Sequence, residues 1–265
     1  MSSSLERVRS VLFLPASNPR AIGHARESAA DFVILDLEDA VKSEDKDSAR
    51  AAAVDAVADT WPMPVAIRVN GIGSEWHSLD VDAVARSKAD YAVLPRASSA
   101  HLVHHVAEAV GKPLMAMVET AAGVLAAAQI AIESAALIAG TNDLRAELRV
   151  PIGKDRAAIS ASLQMILLAA RSAGIPAFDG VFNNLEDADG FQTECAEGRT
   201  LGFDGKSLIH PKQIESCNRA FSPTQEELAR ARRLVDAFGG GAERFEGQMI
   251  ERMHVEAAQR LLDRA

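Results

Sequence analysis

Met115-Ala-Met-Val-Glu119-Thr120 and, one unit later, Leu137-Ile-Ala-Gly-Thr-Asn-Asp143 are short apolar runs that end in a turn. Each delivers one carboxylate at its C-terminal edge. Neither shows the polar–apolar alternation of a strand with a wet face, so both read as strands covered on two sides, as in parallel α/β folds. Two such strands stopping on Glu119 and Asp143 are able to hold a hard divalent cation between them. Carboxylate oxygens suit Mg²⁺, and the remaining octahedral positions stay open for water and substrate. The competing reading is that both carboxylates cap the helices that follow.

Outward from this pair the same unit recurs. Strand-like runs cover Val8–Leu14, Asp31–Leu37, Val65–Asn70 and Tyr91–Leu94 before it, and Ala177–Phe182 and Gly205–His210 after it. With Leu114–Val118 and Ala136–Ala139 that makes eight. Helical segments separate them, among them Asp45–Ala58, Ala122–Ile132 and Ile159–Ala173, the last stopped by Gly174 at a position suited to a left-handed cap. Eight parallel strands avoid free edges by closing, so the expected fold is α/β, a (β/α)8 TIM barrel over residues 1–220. An open doubly wound sheet is the alternative. It would normally carry a Gly-rich phosphate loop, and neither G-x-G-x-x-G after the first strand nor G-x-x-x-x-G-K-[ST] occurs. Residues 221–265 form a C-terminal helical extension. A helix from Ser222-Pro223-Thr224 to about Phe238 is broken by Gly239-Gly-Gly241, and a last helix covers about Ile250 to Asp263. The glycines make a hinge, and the extension is expected to act as a lid or subunit contact.

Composition narrows the partners. Lys and Arg number 28 against 37 Asp and Glu, a net charge of −9, which argues against nucleic acid and anionic membrane. The opening Met-Ser-Ser-Ser-Leu-Glu-Arg lacks the apolar run of a signal peptide, and no stretch approaches a membrane span. Cys195 and Cys217 have neither zinc-type nor disulfide-framework spacing, so a cytoplasmic setting is expected.

Barrel enzymes carry their chemistry at the C-terminal ends of the strands. Those ends here bear Ser17 and Arg20, Glu38 and Asp39, Arg68 and Asn70, Arg96, Glu119, Asn142 and Asp143, Asn183 and Asn184, and His210. So many carboxylates raise one another's pKa values unless a cation or substrate compensates them. Arg68 lies inside Ile-Arg-Val-Asn, within a strand, and must therefore be paired. Its planar fork fits a carboxylate substrate, and pairing with Glu38 or Asp39 is the rival reading. His210, before Pro211, reads equally well as a core histidine.

Several ordered motifs resemble the family of the citrate lyase β subunit and malyl-CoA lyase, which includes citramalyl-CoA-cleaving enzymes and related 2-keto-acid aldolases. They are Arg9-Ser10 with Leu12-Phe-Leu-Pro15, Asp36-Leu-Glu-Asp-Ala-Val41, Arg68-Val-Asn70, and Leu94-Pro-Arg96, where lysine is more usual. Glu119-Thr120 with Gly123, Gly140-x-x-Asp143-Leu144, Gly202-Phe-Asp-Gly-Lys206, Ile209-His-Pro-x-Gln213 and Phe221-Ser-Pro223 complete the series. The resemblance covers nearly the whole chain. It implies a Mg²⁺-dependent carbon–carbon lyase acting on a 3-hydroxyacyl-CoA thioester to give a keto acid and an acyl-CoA, or the reverse condensation. A thioesterase, a free hydroxy-keto-acid aldolase and a non-catalytic metal- and acyl-binding subunit are the alternatives.

The implied partners are a CoA thioester and glyoxylate, pyruvate or oxaloacetate, and the implied assembly is a homotrimer or homohexamer. Glu119 and Asp143 would ligate Mg²⁺. Arg68, with Glu119 and Asn70, would bind substrate. Glu38 and Asp39 would act around metal-bound water, and Arg20 would approach the CoA nucleotide. Two positions depart from the family pattern. Ala16 replaces a usual glycine, and Met249-Ile250-Glu251 replaces Met-Ile-Asp, whose aspartate is the lid's acid/base and often reaches a neighbouring subunit's site. Glutamate keeps that carboxylate but adds a methylene.

Overall fold

The eight apolar runs become strands β1 (Ser10–Pro15), β2 (Phe32–Asp36), β3 (Val65–Arg68), β4 (Tyr91–Leu94), β5 (Leu114–Val118), β6 (Ala136–Ala139), β7 (Ala177–Asp179) and β8 (Gly205–Leu208). Neighbours pair in parallel, and β8 pairs back onto β1, with Ser10 opposite Lys206, so the sheet closes into a barrel. This computed structural model describes residues 4–151, 153 and 156–264. Helices α1 (Pro19–Arg26), α2 (Lys46–Ala56), α3 (His77–Arg86) and α4 (Ala100–Val110) follow the first four strands in turn. Between β5 and β6 lie α5 (Ala121–Leu125) and α6 (Ala127–Ile132), a break at Ala126 in what reads from sequence as one helix. Between β6 and β7 come α7 (Thr141–Glu147), which the sequence reading lacks, and α8 (Ser160–Ala173), ended by Gly174 at φ 69°. Helix α9 (Ala188–Leu201) precedes β8, and α10 (Ile214–Phe221) follows it.

Side chains alternate between the inside of a barrel and the helix layer. The packed interior contains Val11, Phe32 and Ile34, Ala66, Val93, Met115 and Met117, Ala136 and Ile138, and Phe178. Their strand neighbours, such as Val33, Leu35, Ile67 and Leu137, are equally buried, on the side facing the helices. Counting on by two along this inner series reaches Asp36 on β2, Arg68 on β3, Glu119 beyond β5 and Gly140 beyond β6. The apolar interior thus gives way to charge at one end, the C-terminal rim. Several runs leave the ladder earlier than their hydrophobicity implies. β3 stops at Arg68, β7 at Asp179 and β8 at Leu208, because the residues beyond turn into the rim loops.

The chain falls into two compact units that divide after Ala220. Taken by itself, the second contains α11 (Gln225–Ala237), β9 (Glu243–Phe245), β10 (Gln248–Ile250) and α12 (Arg252–Asp263) around Ala231, Leu234, Ile250 and Ala258. Thr224 and Glu227 cap α11 reciprocally: the Glu227 N–H donates to Thr224 Oγ1 at 3.1 Å, and the Thr224 N–H to Glu227 Oε2 at 2.7 Å. The hairpin β9–β10 is absent from the sequence reading. Its two-residue turn, Glu246-Gly247, takes φ 47° and 82°, a geometry that Asn-Gly signals more plainly than Glu-Gly. Arg230 and Arg233 of α11 grip Glu246 at 3.0 and 2.7 Å, fixing the turn.

Candidate active site at the C-terminal rim of the barrel

Arg68 is buried, and its planar fork lies edge-on against Asp36, with Nε to Oδ1 and Nη2 to Oδ2 both 2.6 Å. Register makes this pair: Asp36 and Arg68 stand directly opposite each other on β2 and β3. Sequence reading offered Glu38 or Asp39 as the partner and missed Asp36. The available signal was the inward series Phe32, Ile34, Asp36. The one guanidinium nitrogen that Asp36 leaves is Nη1, with Glu38 Oε2 at 2.9 Å, Met117 Sδ at 3.7 Å and Asp39 Oδ2 at 3.9 Å. Burial disfavours the Arg68 charge, but Asp36 more than compensates and raises its pKa above the ordinary value.

Glu119 is almost fully buried, with Oε1 accepting the Arg96 main-chain N–H at 2.6 Å. Thr120, next in the chain, caps α5 by accepting the Gly123 N–H at 3.0 Å, so the helix following this strand is capped by the threonine and not by the glutamate. Burial pushes the Glu119 carboxyl up to about 7 against the pull of the Arg96 amide, and nearby Asp143 adds to the rise. Glu38 is pushed up to about 8, again chiefly by burial, with Arg68 opposing and Asp39 and Glu119 assisting. Although 2.9 Å from Arg68 Nη1, Glu38 Oε2 accepts no aligned hydrogen bond and is a buried polar atom without one.

A cavity of about 330 Å³ opens here, with Asp36, Asp39, Arg68, Glu119 and Asp143 among its lining residues. Phe13, Met117, Val181 and Ile209 supply an apolar wall. Asn142 and Asn183 also line it and bond to each other, Asn183 Nδ2 donating to Asn142 Oδ1 at 2.7 Å and Asn142 Nδ2 to Asn183 Oδ1 at 3.3 Å. The cavity therefore brings together six of the residues singled out in the sequence: Asp39, Arg68, Glu119, Asn142, Asp143 and Asn183. Glu38 stands behind Arg68 and is not part of the wall.

Asn70 is elsewhere, with both ends of its amide engaged: Nδ2 donates to Asp80 Oδ2 at 2.6 Å, and Oδ1 accepts from Lys46 Nζ at 2.7 Å. Buried Lys46 also donates to the carbonyls of Leu37 and Glu38, each at 2.7 Å, and so ties the β2 loop to the β3 loop. Nothing in the local sequence marks Lys46 as buried. Arg20 is exposed in the first turn of α1, away from the wall. Glu251, in the second unit, is exposed at the head of α12, where its N–H donates to His254 Nδ1 at 3.0 Å.

A divalent cation fits this donor set. Glu119 and Asp143 line one cavity, burial raises the cost of the Glu119 charge and nearby Asp143 adds to it, and Glu38 carries a buried oxygen that lacks a hydrogen bond. Among the described residues no three His, Cys, Asp or Glu side chains converge as a metal-binding group. Two protein carboxylates, with water and substrate completing the shell, are typical of Mg²⁺. Among the described residues no helix is long and apolar enough to cross a membrane.

Residues 9–211 match the HpcH/HpaI aldolase/citrate lyase family. The (3S)-malyl-CoA thioesterase of Cereibacter sphaeroides is 42% identical over 276 residues, spanning 100% of this chain and 97% of that protein. The citrate lyase subunit beta of Escherichia coli is 34% identical over 280 residues, spanning 97% of this chain and 93% of that one. Among solved structures, the protein CitE of Mycobacterium tuberculosis in complex with magnesium, acetoacetate and coenzyme A superposes with a TM-score of 0.86 at 35% identity, covering 98% of this chain and 99% of that one.

Proposed function

This chain belongs to the HpcH/HpaI aldolase/citrate lyase family, and from that premise we propose that it is a Mg²⁺-dependent carbon–carbon lyase acting on a 3-hydroxyacyl-CoA thioester of the malyl or citramalyl type. The observation that carries the reading is the convergence of Glu119, Asp143 and Arg68 on one small cavity that Phe13, Met117, Val181 and Ile209 also line. Glu119 and Asp143 would hold the cation, which when bound supplies Lewis-acid polarisation of a substrate oxygen.

In the cleavage direction the 3-hydroxyl proton goes to a base and the bond between carbons 2 and 3 breaks. The former hydroxyl becomes the carbonyl of the keto acid, and the electron pair passes to the thioester enolate, which a proton then quenches. Glu38, pushed up to about 8 and set back from the cavity wall, would act through water and is matched to proton transfer near neutral pH. Arg68 Nη1 neutralises the carboxylate of the keto acid, while Asp36 fixes the plane of the guanidinium. The apolar wall excludes water from the enolate side. Asp39 orders water around the polar side, Arg20 contacts the CoA nucleotide, and Glu251 takes the acid/base place of the family's lid aspartate.

A second reading is hydrolysis of the same thioester. It is favoured by the 42% identity, over the full chain, to a protein named for that reaction. One experiment separates the two. Malyl-, citramalyl- and methylmalyl-CoA are incubated with Mg²⁺, and keto acid and free thiol are measured independently. Keto acid without thiol identifies the lyase, and thiol released with the hydroxy acid identifies the hydrolase. Turnover of none of the three thioesters would reject the proposal.

A further inference from the structure

Three described non-glycine residues adopt the left-handed region: Arg96 at φ 52°, Arg149 at φ 56° and Glu246 at φ 47°. Two have ordinary reasons. Arg149 terminates α7, and Glu246 opens the turn between β9 and β10. Arg96 ends no helix and closes no hairpin. It is the second residue of the Pro95-Arg96 turn that follows β4, at the rim beside Glu119, a place where glycine or asparagine is the usual choice.

Its geometry has a consequence for the two amides around it. The Arg96 N–H donates to Glu119 Oε1 at 2.6 Å, and the next N–H, of Ala97, donates to the Met117 carbonyl at 3.0 Å. In an extended strand, successive N–H groups point to opposite edges. Here both point to β5 and the residues that continue it, and the left-handed turn at Arg96 is what swings the second donor to the side of the first. The loop is fixed on its far side as well, because the Ala97 carbonyl lies against Gly123, where any Cβ would overlap it. The other oxygen of Glu119, Oε2, packs on Gly140, where a Cβ would again overlap.

We propose that the left-handed backbone of Arg96 is a positioning device for Glu119: by turning the Ala97 N–H onto the Met117 carbonyl it locks this loop to β5, which holds the Arg96 N–H on one carboxylate oxygen and presents the side chain to the cation in one orientation. This rests on the reading of Glu119 as a Mg²⁺ ligand. The side chain of Arg96 is exposed and is not the acting part. An unfavourable φ beside a charged pocket, with a hydrogen bond that explains it, is strain assigned from an observed outlier.

The test compares Arg96→Gly with Arg96→Val. Both remove the guanidinium, so their difference isolates the backbone: glycine adopts the left-handed region freely, and a β-branched residue resists it. Mg²⁺ binding to the substrate-free protein is measured by calorimetry, with thermal unfolding of the metal-free protein as the check on folding. The expected result is Mg²⁺ affinity within about 3-fold of the unaltered protein for Arg96→Gly, and a loss of about 10- to 100-fold for Arg96→Val, the usual range when a ligand's supporting partner is disturbed. If Arg96→Val does not fold, Arg96→Ala against Arg96→Gly gives the same comparison with a smaller expected gap. Equal affinities across the glycine and non-glycine variants would overturn the inference alone. An unaltered protein that binds no Mg²⁺ would overturn the metal reading and this inference with it.

Discussion

Replacing Gly140 by alanine adds one methyl beside the proposed metal ligand. Gly140 sits at φ −90° and ψ 80°, so alanine meets no left-handed strain and the effect comes from space alone. The methyl would overlap both Oε2 and Cβ of Glu119 and lie 3.0 Å from its Cδ. Rotating the Glu119 side chain moves Oε2 but cannot move Cβ. The relief must therefore come from the backbone, by separating β6 from β5 just beyond their last pair, Val118 and Ala139. A displacement on the order of 1 Å is enough to cost about 10²-fold in rate at a site of this kind. Overpacking should destabilise the barrel by about 1–3 kcal/mol, which leaves it folded at room temperature. Mg²⁺ affinity should fall by about 10- to 100-fold. Calorimetric Mg²⁺ titration and thermal melting read the two effects separately. Gly23→Ala, where an added methyl meets nothing within 4 Å, is the control. A folded Gly140→Ala protein with unchanged Mg²⁺ affinity would refute the reasoning, because it would mean that the orientation of Glu119 does not matter to the cation.

Arg68→Lys removes the fork that Asp36 holds, so keto-acid binding should weaken by about 10-fold or more while Mg²⁺ affinity stays within about 2-fold; normal keto-acid binding would reduce Arg68 to a structural partner of Asp36. Glu251→Gln should lower turnover by about 10²-fold or more and spare keto-acid binding, whereas Glu251→Asp should retain turnover; equal rates for wild type and Glu251→Gln at saturating Mg²⁺ would remove this residue from the chemistry. Lys206 is fully buried and donates to Asp179, Glu194 and the Gly180 carbonyl at 3.1, 2.7 and 2.6 Å. Lys206→Met leaves Asp179 with Arg156 as its one cationic partner beside the Gly180 N–H, so about 3 kcal/mol should be lost and the melting temperature should drop by about 6–12 °C; a smaller shift would argue that Arg156 suffices. Burial pushes the Asp179 carboxyl up, but Lys206 and Arg156 outweigh it and hold the group below its ordinary 3.8. Its contribution is therefore complete above about pH 4 and is lost as pH falls through the depressed value, so the acid unfolding midpoint of Lys206→Met should lie at higher pH than that of the unaltered protein.

The barrel and its rim were legible in the chain because they follow from local pattern. An apolar run without alternation is a strand covered on both faces wherever it occurs, and eight of them separated by helices have few ways to bury themselves. The carboxylates that end Met115–Glu119 and Leu137–Asp143 needed only the rule that parallel strands present their C-terminal ends to ligand. The contacts that set the site depend on which strand lies beside which, and at what register. Asp36 was visible as a residue but not as the partner of Arg68, since that follows from β2 and β3 pairing with those two positions opposite. The engagement of Asn70 by Lys46 and Asp80, the reciprocal amides of Asn142 and Asn183, and the Arg96 amide on Glu119 likewise join segments 10 to 41 residues apart. Closure of the sheet fixes these pairings through the stagger of all eight strands together, a property of the whole ring that no single stretch of sequence encodes.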